Sequence, residues 1–200
     1  MPAPEGAGTL VRPPLICLIS SMALSKTTDL RELCYPFIFE TKLTCDYEIL
    51  TDELCCQVGN VLAQLSADFP EVRTDLQALQ TLIYHLNGSV RGKNGIFEEN
   101  IDWLKGRYDF YWQASGERVN GFVLPQGPQP VPALHLCRCN AKKVVRMLVR
   151  LDEVGIRFEP TLPRFANLLA NFFFVVTVYL KARLAVAEIP YVSINYPQKM

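Results

Sequence analysis

The sequence has no excess of charge of either sign and no apolar run long enough to span a bilayer. Its 200 residues contain 20 Lys and Arg against 20 Asp and Glu, so the formal net charge is zero. This balance excludes a protein whose whole surface binds nucleic acid, although it is compatible with a local basic site. Hydrophobic residues make up 50% of the chain, which is enough to build a core, and the length is typical of one domain.

The sequence also lacks the cysteine pairs of a zinc site. None of its seven cysteines forms a CxxC pair, and Cys55 and Cys56 are adjacent. The number is odd, and a chain of this length does not need disulfides to hold its core together. We therefore expect reduced thiols and a cytoplasmic location.

Two apolar stretches could be mistaken for membrane or export signals. Residues 15–24 loosely resemble the core of a secretion signal, but two serines interrupt them, which favours an N-terminal arm or a short strand. Residues 165–180 fall short of the roughly 20 needed to cross a bilayer. Asn167 and Asn171 would also lie unpaired in lipid. We therefore expect a core helix and no membrane association.

The hydrophobic periodicity predicts an all-α fold. Apolar residues recur at three- and four-residue spacing in five segments, separated by Pro and Gly clusters. The five predicted helices begin near Asp52, at Pro70, near Phe97, near Ala133 and between Pro160 and Pro163. The segment FIFETKL at 37–43 is strand-like. The prediction is one five-helix bundle of the ferritin-like up-down type over 49–187, after a non-helical arm at 1–48 and before an extended tail at 188–200.

The fourth predicted helix carries a row of basic side chains. Arg138, Lys142, Arg146 and Arg150 follow one another at intervals of four residues, so they share one side of the helix, with His135 in the same stripe. Four cations in a row repel one another unless an anion lies among them, and the guanidinium fork matches phosphate oxygens. Such a row is most often a solvated face. By itself it does not choose between a polyphosphate, a nucleic acid and an acidic partner.

The string GFVLPQGPQPVPALHLCRCNAKKVVR at 121–146 carries the most specific motif. It contains an FxLPxG turn, then LHxxR, then a basic turn of the RRAER kind. The matching residues are Phe122, Leu124, Pro125 and Gly127 in the turn, Leu134, His135 and Arg138 in the second element, and Lys142, Lys143 and Arg146 in the third. The string resembles the signature of the trimeric ATP:cob(I)alamin (corrinoid) adenosyltransferases, of which this chain would be a divergent member.

Further elements of that family occur in the expected order, so the resemblance covers about residues 25–180. SKTTDL at 25–30 is similar to its KTGD phosphate loop, and TDEL at 51–54 to its VDELN motif. FEENID at 97–102 is similar to LExxID, and NLLANFFF at 167–174 to NRLSDxLF. Only the string at 121–146 is specific enough to carry the resemblance.

The resemblance implies a homotrimer of five-helix bundles with active sites between subunits. The 5′-deoxyadenosyl group of ATP would pass to cob(I)alamin, releasing triphosphate, with ATP bound as its Mg²⁺ complex. The residues that it implies on the phosphate side are Arg138, Lys142 and Arg146, with Lys26, Thr27, Asp29 and Asn167 binding ATP. Those beside the corrinoid are Phe122, His135 and Asn171, and Asp52 and Glu53 would support the site. Ordinary alternatives are helix packing for His135 and first-turn acids for Asp52 and Glu53.

Several positions differ from the family pattern. Thr28 replaces a loop glycine, Val145 the acid of RRAER, and Asn171 an aspartate. Lys142 and Lys143 replace arginines, which keeps the charge but loses the bidentate geometry. Two alternatives to an active transferase follow. One is a homologue that binds corrinoid or nucleotide as a carrier or regulator, and the other is a helical interaction module without a small-molecule site.

Overall fold

The computed structural model describes residue 27, residues 29–115 and residues 121–195. Within these residues the chain forms one short 3₁₀ helix, Leu30–Glu32, and five α-helices. The α-helices are α1 (Leu43–Gln64), α2 (Pro70–Gly88), α3 (Glu98–Ser115), α4 (Val131–Glu153) and α5 (Thr161–Arg183). The predicted all-α five-helix bundle is confirmed. How the chain divides into arm, bundle and tail stays a prediction.

The chain separates into two compact units, Met1–Ile38 and Phe39–Met200. In the first unit, the carboxylate of Asp29 caps the 3₁₀ helix by accepting from the backbone N–H of Arg31. All five α-helices lie in the second unit. The interaction between Tyr35 and Phe37, an edge-to-face ring pair, is internal to the first unit.

The strand expected at 37–43 is wrong. Turns and irregular backbone lead directly into α1, which begins at Leu43 and not at Asp52. The reason is that the buried face of α1 extends back to Tyr47, whose hydroxyl donates a hydrogen bond to the carbonyl of Leu86 in α2 over 2.9 Å. An aromatic residue that favours strands in isolation here anchors two helices to each other.

Helix α5 is the centre of the bundle. It packs against α3 and α4, and its side chains are buried at every position from Val175 to Lys181. Among the described helices it is the one long and apolar enough to cross a membrane, but 72% of its most apolar stretch is buried inside the protein. A helix that is apolar all round fits the middle of a bundle. The interpretation of residues 165–180 as a core helix is confirmed.

Helix α4 separates an apolar face from a basic one. Its buried face faces α1 and α5 and includes Leu134, Cys137, Ala141, Val144, Leu148 and Leu151. Lys142, Arg146 and Arg150 are exposed, as their spacing predicts. Leu136, which the helical wheel places with the apolar residues, is 57% exposed instead. It lies about 100° round the helix from the buried Cys137, at the margin of the covered face.

Candidate active site

A cavity of about 290 Å³ lies between the loop that precedes α4, the basic face of α4 and one face of α5. We call it the α4–α5 cavity. Phe122 reaches it from the loop, Arg138 and Lys142 from α4, and Asn171 and Phe174 from α5. Four residues that the sequence singles out, Phe122, Arg138, Lys142 and Asn171, therefore share one lining. Their roles in a reaction stay predictions.

Phe122 lies on a loop that pairs with the chain returning after α5. The carbonyl of Phe122 accepts from the N–H of Tyr191, and the N–H of Leu124 donates to the carbonyl of Ile189, both over 2.8 Å. Gly121, immediately before, has a φ of 94°, which a residue with a side chain rarely adopts. The ring of Phe122 is 66% exposed, so it is not a core side chain. It is free to contact a ligand in the cavity.

Arg138 is the half-buried member of the basic row. Its guanidinium carbon lies 5.8 Å from the centre of the Phe174 ring, and its Nε is buried without a hydrogen-bond partner among the described residues. A buried charged donor that is left unsatisfied costs free energy. Arg138 also lines the cavity, so an anionic group bound there would lie beside its positive charge, while the aromatic face holds the cation in place.

His135 belongs to the core and not to the basic stripe. It is buried against α5, with its ring centre 6.5 Å from that of Phe174, and it does not line the α4–α5 cavity. Burial, and then the charges of Arg138 and Lys181, lower the pKa of His135 to about 4. The imidazole is therefore neutral near pH 7. This position corrects the placement of His135 in an exposed row and agrees with the helix-packing alternative.

The buried His135 predicts an acid-sensitive fold. The unfolded chain binds a proton as the pH falls below the ordinary value of 6.5, whereas the folded protein resists protonation until about pH 4. The free energy of unfolding should therefore decrease between pH 6.5 and 4, by roughly 3 kcal/mol in all, and not respond to His135 above pH 6.5. Urea unfolding at pH 7 and pH 4.5 measures this, with His135→Leu as the comparison. An equally steep loss in His135→Leu would contradict the assignment.

Comparison with known protein families shows which family this site belongs to. The family described as cobalamin adenosyltransferase matches residues 49–180, which is more than half of the chain and includes the whole α4–α5 cavity. The chain belongs to the cobalamin adenosyltransferase family. The resemblance found in the motif at 121–146 is confirmed.

Two curated relatives agree. A corrinoid adenosyltransferase of Bacillus subtilis is 26% identical over 147 residues, covering 70% of this chain and 75% of the relative. A cobalamin adenosyltransferase of Cupriavidus metallidurans is 30% identical over 132 residues, covering 62% of this chain and 67% of the relative. These relatives connect the sequence to named transferases of the corrinoid class.

Solved structures of the same class share the fold. A variant PduO-type ATP:corrinoid adenosyltransferase from Lactobacillus reuteri, complexed with cobalamin and ATP, superimposes with a TM-score of 0.70 at 22% identity. The match covers 75% of this chain and 84% of that one. A second variant from the same organism, also with cobalamin and ATP, gives a TM-score of 0.71 at 21% identity.

The other residues of the basic row and of α5 differ in their access to the cavity. Arg146 is exposed one turn beyond Lys142 and does not line the cavity. Asn167 is exposed, and its amide donates to the carbonyl of Pro163 over 2.8 Å. Asn171, one turn along, is the asparagine that lines the cavity. The spacing of four residues does place both asparagines on one face of α5, but of the two only Asn171 lines the cavity.

Asp52 and Glu53 connect helices and do not line the cavity. Asp52 accepts from the hydroxyl of Tyr84 in α2 over 2.9 Å, and this bond raises the pKa of Tyr84 to about 12. Glu53 accepts from the buried amide of Asn140 in α4 over 2.8 Å. Since α1 begins at Leu43, neither acid lies in a first turn, and that alternative is wrong.

The N-terminal family motif lies partly outside the described residues, because Lys26 and Thr28 are not among them. Thr27 accepts from the backbone N–H of Asp29 over 3.1 Å within the first unit. The described part of the chain contains no group of three His, Cys, Asp or Glu side chains arranged to hold a metal ion.

Two of the family substitutions can be placed in the structure. Val145 is half-buried and packs against the core, as does Leu168 in α5, which occupies the position of a family arginine. Hydrophobic contacts therefore replace polar groups at both positions. Phe174 and Lys181 were not predicted as site residues. The sequence could have pointed to Phe174, because it is the last aromatic residue of the segment NLLANFFF that matches the family motif. It could also have pointed to Lys181, because a charged residue within an apolar helix is unusual.

Proposed function

We propose that the protein transfers the 5′-deoxyadenosyl group of ATP to cob(I)alamin and releases triphosphate. In this reaction the Co(I) electron pair forms the cobalt–carbon bond, the bond from the 5′ carbon to oxygen breaks, and triphosphate leaves with the bonding pair. Cobalt supplies the nucleophile, so the protein needs no nucleophilic side chain. It must hold the two substrates together and stabilise the charge that develops on triphosphate.

The observation that carries the proposal is the joint lining of the α4–α5 cavity. Arg138 and Lys142 bring two cations to one side, and Phe122 brings an exposed aromatic ring to the other. Cations are suited to triphosphate, and a large apolar ring is suited to the face of a corrinoid. Family membership and relatives named as corrinoid adenosyltransferases support the same pairing.

On the ATP side, we assign Arg138 and Lys142 to the triphosphate. Both side chains line the α4–α5 cavity, so a triphosphate bound there would lie beside two positive charges. Arg146 would act from further along the row, and Asn167 together with Lys26, Thr27 and Asp29 would bind ATP as its Mg²⁺ complex. These latter assignments rest on the family motif.

On the corrinoid side, we assign Phe122 to the lower face of the ring, where it would exclude water and the axial base. Four-coordinate cobalt is easier to reduce, so this contact would assist the formation of cob(I)alamin. Asn171 offers an exposed amide at the same lining. The ring of His135 is 6.5 Å from that of Phe174 and does not line the cavity, so it would support the wall from the core instead of touching the substrate.

We further propose that the protein works as a cytoplasmic homotrimer, without nucleic acid or membrane as a partner. The support for the trimer is the family resemblance, in which the N-terminal loop of one subunit completes the site on the basic helix of its neighbour.

One set of absorbance measurements tests the proposed function. Purified protein is mixed with cob(II)alamin, then with ATP, and finally with a strong reductant, while the corrinoid spectrum is followed. We expect a spectral change on binding, and loss of the Co(I) absorbance as adenosylcobalamin forms. A spectral change without product would support the carrier or regulator alternative. No change with either ligand would contradict both, and would leave a helical interaction module.

A further inference from the structure

The loop that carries Phe122 has little support from the helices. The two backbone hydrogen bonds that pair Val123 with Pro190 in a single antiparallel bridge join it to the chain after α5. A ribbon of two paired segments this short is marginally stable on its own. The position of the Phe122 ring therefore depends on what fixes this ribbon to the bundle.

Lys181, in the last turn of α5, binds both halves of the ribbon. Its Nζ donates to the carbonyl of Gln126 over 3.1 Å and to the carboxylate of Glu188 over 2.7 Å. Gln126 belongs to the loop of Phe122, and Glu188 to the returning chain. We call these three groups the Lys181 clamp. Lys181 itself is only 2% exposed, so its charge must be paired inside the protein.

The clamp connects the wall of the α4–α5 cavity formed by the loop of Phe122 to the wall formed by α5, because Lys181 belongs to α5 itself. Asn171 and Phe174 are on α5, and Lys181 is two turns further along the same helix. Its hydrogen bonds are charge-assisted, and these are shorter and stronger than neutral ones. We infer that Lys181 is a positioning residue that sets the distance of Phe122 from the wall on α5. The effect of this positioning on catalysis rests on the proposed function.

The structural part of this inference is tested without any substrate. In Lys181→Met, the backbone amides of Leu124 and Tyr191 should exchange with deuterium at least about tenfold faster than in the wild type, as measured by NMR. Amides at the centre of α5, such as that of Val175, should keep their protection. Lys105→Met, which removes a lysine exposed on α3, is the matched control. Unchanged exchange at Leu124 and Tyr191 would overturn the inference.

The functional part has a specific kinetic signature. Lys181→Met should raise the KM for the corrinoid about tenfold and weaken the spectral change of bound cob(II)alamin, while the KM for ATP stays within about twofold. Lys181→Arg keeps the charge and should recover part of both losses. Equal increases in the two KM values would overturn the positioning role, since a general loss of structure affects both substrates.

A double variant guards against misfolding. Lys181→Met alone leaves the carboxylate of Glu188 without the hydrogen bond that Lys181 donates to it. Lys181→Met combined with Glu188→Met removes both charges together. This double variant should fold and show the same fast exchange at Leu124. The two proposals can also fail separately. If the wild type binds no corrinoid, the proposed function is wrong, while faster exchange in Lys181→Met would still support the clamp.

Discussion

Arg138→Ala should lower kcat/KM for ATP by about 100- to 1000-fold. The loss of a single donor that stabilises charge in a transition state typically has an effect of this size. Arg138 has the geometry for this role, because it lines the α4–α5 cavity with a buried, unsatisfied Nε and is held over Phe174. Steady-state rates over a range of ATP concentrations, at saturating cob(I)alamin, measure the change.

Arg150→Ala is the matched control for this prediction. Arg150 is an exposed arginine of the same row, on the same helix, but it does not line the cavity. Its removal should change kcat/KM for ATP less than about twofold, because an exposed charge contributes little at a distance in salt. Equal losses in the two variants would mean that the net charge of the helix matters and not the cavity.

Phe122→Ala should slow the reduction of cob(II)alamin on the protein by on the order of 100-fold, because the ring would no longer exclude water and the axial base from the cobalt. Phe122 is 66% exposed at the edge of the cavity, so alanine there leaves no hole in the core. The fold should therefore be intact. The absorbance spectrum of bound cob(II)alamin, with ATP present, should lose the change seen with the wild type.

The control for Phe122 is Phe97→Ala, since Phe97 is also an exposed phenylalanine, at 54%, and lies away from the cavity lining. The Phe97→Ala protein should support the reduction of cob(II)alamin at the wild-type rate. A Phe122→Ala protein that still gives the wild-type spectrum would remove this ring from the corrinoid site. The KM for ATP should change little in Phe122→Ala and in Phe97→Ala. This distinguishes a defect at the corrinoid from the defect in the use of ATP that is expected for Arg138→Ala.

The sequence predicts the helices best where their burial is continuous. Helix α5 was expected to begin between 160 and 163 and is found at Thr161–Arg183, where Pro160 precedes it and its apolar run suits the centre of a bundle. Helix α1 was placed too late, since its first turns bury the polar residues Thr44, Glu48 and Thr51 and leave Ile49 46% exposed, so no apolar periodicity marks them. The contact of Tyr47 with α2, 39 residues away, decides that this segment is helical.

At the site, too, the sequence predicted the local arrangement of the residues but not their burial. The interval of four residues places Arg138 and Lys142 on one face, and that is correct at the level of the helix. It does not reveal that Arg138 is half-buried over Phe174, or that Arg146 and Arg150 lie in solvent beyond the cavity. Both facts depend on where α5 and the loop of Phe122 cross α4.

By itself, the sequence determined the all-α class, the basic face of α4 and, through the motif at 121–146, the family. These follow from local regularities, since each residue turns a helix by about 100° whatever surrounds it. Only the tertiary structure decided that His135 is buried and neutral, that Asp52 and Glu53 link helices, and that Lys181 holds the loop of Phe122. Burial and pairing are set by segments far apart in the chain, and no local spacing encodes which of them meet.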